Sequence, residues 1–150
     1  MREKFTTALK EAMKAKDKRR VSTLRLIVAA IKDRDIAARG SGKDGVGDEE
    51  VLQILTKMVR QRQESAKTYE EAGRLDLAAQ ERDETDIIND FLPRQLDEGE
   101  IETVCRKTVE ELDAGGLKDM GRTMGALKER YSGQMDFGKA SQMVKGLLTD

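Results

Sequence analysis

The chain has 150 residues, 38% of them charged and 37% hydrophobic, with a formal net charge of −1. That length holds one domain or two small ones, and the near-neutral charge excludes a generically basic nucleic-acid binder. There is no histidine and one cysteine, Cys105, which excludes Ser-His and Cys-His nucleophilic chemistry, the Glu-x-x-His di-metal bundle pattern, an intrachain disulfide and any multi-cysteine metal site.

Ala, Leu, Lys, Glu and Arg dominate and only one proline occurs, a composition that predicts an all-α protein. A first helix is expected over Arg2–Ala15, with Phe5, Ala8, Leu9, Ala12 and Met13 on one side. Lys16-Asp17-Lys18-Arg19 interrupts it. A second runs from about Arg20 to Ala38 with Val21, Leu24, Ile27, Val28 and Ile31 inward. Lys14, Lys16, Lys18, Arg19, Arg20 and Arg25 decorate this hairpin; such a run either touches phosphates or is a solvated face. Residues 39–47 contain four glycines without apolar period, which predicts a mobile loop. Gly42-Lys43-Asp44 lacks the Ser/Thr and the strand-to-helix context of a phosphate loop. Asp48 is expected to cap the third helix, with Glu49 and Glu50 favourable against its dipole.

The third helix carries the stripe Val51, Leu55, Met58, Arg62, Ser65, Tyr69 and ends near Ala72. The fourth carries Leu77, Glu81, Glu84, Ile88, Phe91 and runs to Leu92. One arginine and two glutamates therefore sit where apolar residues belong. A hairpin folded about Gly73 sets Arg62 opposite Glu84 or Thr85, and Ser65 or Ala66 opposite Glu81. A buried guanidinium requires a carboxylate, so an Arg62–Glu84 or Arg62–Glu81 pair is predicted, either as a structural ion pair or as a functional polar site.

Pro93 ends the fourth helix, because it lacks an amide donor and disfavours helical geometry at Leu92. It divides the chain into an N-terminal four-helix domain, 1–93, and a C-terminal three-helix bundle, 94–150. Asp97-x-x-Glu100 forms a capping box for a fifth helix with the stripe Ile101, Val104, Cys105, Thr108, Leu112; Cys105 reads as an inert core thiol. Gly115-Gly116 ends that helix. A sixth runs from about Asp119 to Tyr131 with Met120, Met124, Leu127 and Tyr131 in line. Ser132-Gly133 turns the chain, Asp136 caps, and Phe137, Ala140, Met143, Val144, Leu147 and Leu148 form the last apolar face.

Charge is unevenly spread. Residues 1–39 hold twelve basic residues against five acidic, 68–90 two against eight, 97–113 two against seven, and 117–150 six against four. The basic ends could face a polyanion, or simply pack beside the acidic helices.

The motifs Ser22-Thr23-Leu24-Arg25; Arg62-Gln63-Glu64-Ser65 with Tyr69; Ala72-Gly73-Arg74-Leu75-Asp76-Leu77; Glu81 and Glu84; Phe91-Leu92-Pro93-Arg94-Gln95-Leu96; Lys118 through Leu127; and Gly138-Lys139 together resemble the YqeY-like proteins. Phe91 stands where the family often carries tyrosine. The resemblance implies a helical N-terminal domain followed by a three-helix domain. The family is similar to the tail of the B subunit of the glutamine-dependent aspartyl/glutamyl-tRNA amidotransferase, which is associated with tRNA recognition. Members are often classed with carbon–nitrogen ligases using glutamine as amido donor, although a shared fold does not carry chemistry.

By that resemblance, RNA contacts would come from Lys118, Arg122, Lys128, Arg130 and Lys139. Gly121 and Gly125 would admit a close backbone approach, or else serve close helix packing. With aromatics at 3%, base stacking is poorly supplied, and shape and phosphate recognition of a folded RNA fits better. An amidotransferase-like ligase needs an activated nucleophile and a nucleotide site; neither is found, so no catalytic residue, cofactor or metal is expected. The run Glu81, Asp83, Glu84, Asp86 could bind a divalent ion, but such a run is more often part solvated face and part ion pair. The expected function is a tRNA-associated binding protein without its own active site; accessory to a carbon–nitrogen ligase and protein-interaction adaptor are the alternatives. Without a signal peptide or membrane-length apolar run, a cytoplasmic location is expected.

Overall fold

The structure, a computed structural model, describes residues 1–149. Seven α-helices follow one another: α1 (Arg2–Ala15), α2 (Lys18–Gly40), α3 (Asp48–Glu71), α4 (Leu75–Asn89), α5 (Glu98–Glu111), α6 (Met120–Arg130) and α7 (Phe137–Thr149). A single 3-10 turn, Leu117–Asp119, precedes α6, and no strand occurs among the described residues. The protein is all-α. Its chain contacts divide into two compact units, Met1–Leu92 and the segment from Pro93 onward.

In the first unit, α1 with α2 and α3 with α4 form two helical hairpins around Phe5, Leu24, Ile27, Ile31, Val51, Leu55, Met58 and Ile88. Fully burying a side chain such as Phe5, 2% exposed, contributes about 1.5–3 kcal/mol. The inward stripes are narrower than the sequence suggests. Met13 is 52% and Val28 37% exposed, because each lies at the edge of its helical face, where the neighbouring helix no longer covers it. The ring of Phe91 packs on Phe5, with centroids 5.0 Å apart. The guanidinium of Arg20 lies 5.7 Å from the Phe91 centroid.

The turn between α1 and α2 is closed by Lys16 in the left-handed region, φ 58°. The Lys16 amide donates to Met13 O and the Asp17 amide to Ala12 O, while the Asp17 carboxylate accepts from the Arg20 amide at 3.1 Å. A lysine at this φ carries a steric cost that glycine avoids. Lys16→Gly is expected to stabilise the first unit by about 0.5–1 kcal/mol, read as a higher urea midpoint at unchanged slope.

The glycine loop is not free along its length. The Lys43 amide donates to Ala38 O at 2.9 Å, Arg39 Nε to Asp44 O at 3.3 Å, and Val46 is buried. The α3 N-cap is Gly47 rather than Asp48; Asp48, Glu49 and Glu50 all fall in the first turn, facing the amide end of the dipole. α4 stops at Asn89, three residues earlier than expected, and closes through turns at Phe91 and Leu92.

The second unit opens on the capping box. The Glu100 amide donates to Asp97 Oδ1 at 2.8 Å and the Asp97 amide to Glu100 Oε1 at 3.2 Å. Arg94 donates to both Glu100 oxygens, at 3.1 and 2.8 Å, and this contact holds the Glu100 carboxyl down at about 2. α5 ends at Glu111, before Gly115-Gly116, because Asp113 takes the left-handed position at φ 50°. The core of α5, α6 and α7 is Ile101, Cys105, Leu127, Met135, Ala140, Val144 and Leu148. Cys105 is fully buried, and burial pushes its thiol pKa up, which suppresses the reactive thiolate. Asp136 Oδ1 accepts from the Gly138 amide at 3.0 Å at the start of α7.

Candidate functional site

Two places bring together the residues singled out from sequence. The first is the α3–α4 hairpin. Gly73 turns it with φ 75°; its amide donates to Glu70 O and that of Arg74 to Tyr69 O, the pattern of a glycine-ended helix. The antiparallel return sets Arg62 against Glu84. Arg62 Nε donates to Glu84 Oε2 at 3.2 Å, and the two side chains are only 13% and 12% exposed. Arg62 Nη1 also donates to Met58 O at 3.4 Å, and Gln80 Nε2 to Glu84 Oε1 at 3.5 Å. Of the two acids available, Glu84 takes the ion pair. Glu81 is half-buried beside it. Burial pushes its carboxyl pKa up, the charge of Glu84 adds to the rise, and Arg62 opposes it. Thr85 is buried with its hydroxyl donating to Glu81 O at 2.9 Å. This arrangement braces two helices through one compensated charge pair. Among the described residues no group of three or more metal-ligating side chains converges.

The second place is α6. Gly121 and Gly125 lie one turn apart on its exposed side, and a Cβ added at either would meet nothing within 4 Å. Close helix packing therefore does not explain them. At about 100° per residue, Lys128 and Arg122 flank the two glycines, and Glu129 is the acid on the same arc. Arg122 is steadied by Asp119, with Nη2 donating to Oδ1 at 3.2 Å. Asp119 Oδ2 accepts from the Gly115 amide at 2.9 Å; that contact leads the depression of its carboxyl pKa, with Arg122 and Lys118 adding to it. Lys118 sits on the preceding 3-10 turn and Lys139 in the first turn of α7. Lys118, Lys128 and Lys139 are exposed and have no ion-pair partner among the described residues. Arg130 is set apart, roughly half a turn round from Gly121, and donates to Glu111 at 2.5 Å. Arg122 and Lys128 thus share the arc of the two glycines, Lys118 precedes them on the 3-10 turn, and Arg130 is turned to an acidic partner.

One charged cluster escaped the sequence reading. Arg2 Nη1 and Nη2 donate to the two oxygens of Asp35, each at 2.6 Å, and Nη2 also donates to Val46 O at 2.7 Å. The Val46 amide donates to Asp35 Oδ1 at 3.0 Å. Asp35 is buried and continues the α2 stripe Ile27, Ile31. A charged residue extending an apolar stripe is the signal that identified Arg62, and it was present here too.

Fold and sites define a class: an all-helical protein of two small units, the first braced by the Arg62–Glu84 pair and by Arg2 on the buried Asp35, the second carrying an exposed glycine-and-cation helix. The chain belongs to the YqeY-like family; the family model described as Yqey-like protein matches residues 2–148. It is similar to a protein of Clavispora lusitaniae named "Altered inheritance of mitochondria protein 41, mitochondrial", at 31% identity over 144 residues, 93% of this chain and 80% of the relative. A Saccharomyces cerevisiae protein of the same name is 33% identical over 84 residues, covering 56% of this chain and 44% of the relative. One from Lachancea thermotolerans is 31% identical over 106 residues, 69% and 55% of the two chains. These names correct the expected cytoplasmic location, since the relatives are named as mitochondrial proteins. No helix of the described residues is long and apolar enough to cross a membrane.

Proposed function

We propose that this protein is a tRNA-associated binding protein, related through its second unit to the tail of the tRNA-dependent amidotransferase B subunit and without an active site of its own. The observation that carries the reading is the pair Gly121 and Gly125. A glycine inside an exposed helix costs about 0.8–1 kcal/mol relative to alanine, and neither position is needed for packing. A bare helix surface flanked by Lys118, Arg122 and Lys128 suits a phosphate backbone approaching the helix closely, with the cations holding phosphates. The contacts are to shape and charge rather than to base faces, in keeping with the aromatic content of 3%.

The test is tRNA binding by the purified chain across a salt series. Affinity is expected to fall linearly in log–log form, and Arg122→Ala and Lys139→Ala each to shallow the slope by roughly one phosphate contact. Gly125→Gln separates binding from folding. It is expected to strengthen α6 by about 0.5 kcal/mol while weakening tRNA binding at least about tenfold through steric exclusion. No binding at low salt, or unchanged binding by Gly125→Gln, would overturn the reading.

A further inference from the structure

The tip of the α1–α2 hairpin carries a different kind of basic surface. Lys10, Lys14, Lys16, Lys18 and Arg25 are exposed there, and none has an ion-pair partner among the described residues. Their neighbours Arg19 and Arg20 are occupied, donating to Asp83 and Asp90 across the unit. The arginines suited to forked phosphate recognition are thus committed, and the free charges are mainly lysines, compact point charges on flexible stems.

Apolar groups stand among these cations. Met13 lies between Lys10, Lys14 and Lys16 in sequence and is 52% exposed; Val28 is 37% exposed. Thr6 of α1 and Val28 of α2 share one cleft of about 250 Å³ with Lys32. One turn along from these two lie Lys10 and Arg25, so the cleft and the lysines belong to one outer face of the hairpin. Lys16 adds a separate indication. It holds a left-handed φ of 58°, where glycine would be more comfortable, so the cation is kept at a cost in stability.

We propose that this face docks on an anionic lipid bilayer surface. The lysines lie against the headgroups while Met13 enters the interfacial layer. Unpaired lysines attract a diffuse negative surface without fixed geometry, and a protruding thioether adds apolar burial that a phosphate backbone could not reward. The proposal uses none of the α6 residues and does not depend on the tRNA reading.

The experiment is sedimentation of the full chain with phosphatidylcholine vesicles, with and without roughly 30% phosphatidylserine. Binding is expected only with the anionic lipid and is expected to fall with salt. The double change Lys10→Ala, Lys14→Ala should weaken partitioning about 25-fold, at roughly fivefold per basic residue. Met13→Ser should weaken it about fivefold while leaving the salt dependence in place. Lys16→Gly, which improves the turn, should also lose about fivefold, so that stability and binding move in opposite directions and misfolding is excluded as the cause. Absence of binding to anionic vesicles at low salt would overturn the proposal. So would vesicle binding unchanged by the double lysine variant, including the case in which that variant loses tRNA affinity instead and the patch proves to be an RNA contact.

Discussion

Arg62→Ala is expected to destabilise the Met1–Leu92 unit by about 3–5 kcal/mol, a large share of a small domain's stability. The cost is not the loss of one 3.2 Å contact. It is the stranding of the Glu84 carboxylate, 12% exposed, beside half-buried Glu81. Two negative charges then share a poorly hydrated seam between α3 and α4 with no compensating cation. Replacing both partners, as in Arg62→Met with Glu84→Leu, removes the stranded charge and is expected to recover most of the loss. The pH dependence fixes the cause. Glu81 has a folded pKa above its ordinary value of about 4.3. A raised carboxyl favours the folded state at low pH, and that contribution disappears as the pH rises through the folded value. Arg62 opposes the rise, so its removal enlarges the penalty at neutral pH and leaves a smaller deficit on acidification. Urea unfolding at two pH values, with amide exchange in α3 and α4 to isolate this unit, measures both effects. A deficit below about 1 kcal/mol, the range of an exposed pair, would show that the charges remain hydrated.

That pair was legible in the sequence because a three-four step is strict: Arg62 and Glu84 each continued an apolar stripe, and Gly73 fixed the point about which the stripes fold together. The all-α class was legible from a composition rich in Ala, Leu, Lys, Glu and Arg with a single proline, and the capping box at Asp97 and Glu100 was read directly from its spacing. What stayed hidden depended on distance through space. Asp35 extends the α2 stripe as Arg62 extends its own, but its partners lie 33 and 11 residues away in sequence: the α1–α2 hairpin brings Arg2 to it and the closing of the glycine loop brings the Val46 amide, and no local pattern encodes which partners it meets. Helix ends were misread where a non-glycine residue takes the left-handed position: Asp113 ends α5 ahead of the two glycines expected to do so. The breadth of a buried face was overstated at Met13 and Val28, since periodicity gives a stripe's direction but not the width its neighbours cover. Around α6 the sequence supplied the glycines and the cations, whereas only coordinates could show that the glycines face open space and that Arg130 is turned toward Glu111.

Gly45→Ala is expected to open the Arg2–Asp35 clamp and give the second largest loss. Gly45 has φ 150°, and a Cβ placed on it lies 2.9 Å from Asp35 Oδ1, inside any normal contact. Backbone strain at such a position costs about 1–3 kcal/mol. Here the methyl group also competes with the carboxylate that orders the loop, so the effect belongs at the upper end of that range or beyond it. Gly42→Ala is the control. Gly42 also has a positive φ, 84°, but nothing lies within 4 Å of the added Cβ; it carries the backbone cost without the collision and should lose about 1 kcal/mol. Acid sensitivity separates the two variants further. The hydrogen bonds from Arg2, and then from the Val46 amide, hold the Asp35 carboxyl well below the usual carboxylate range. A depressed carboxyl contributes stability that is complete above its unfolded value, about 3.9 for aspartate, and is lost as the pH falls toward the folded value. The native protein and Gly42→Ala should therefore share the same acid limb. Gly45→Ala, with Asp35 pushed off Arg2 and Val46, should show a weaker dependence in that window because less of the linkage remains to be lost. Equal pH profiles for both alanine variants would mean that the loop yields and Asp35 keeps its partners, so that backbone strain alone accounts for the role of Gly45.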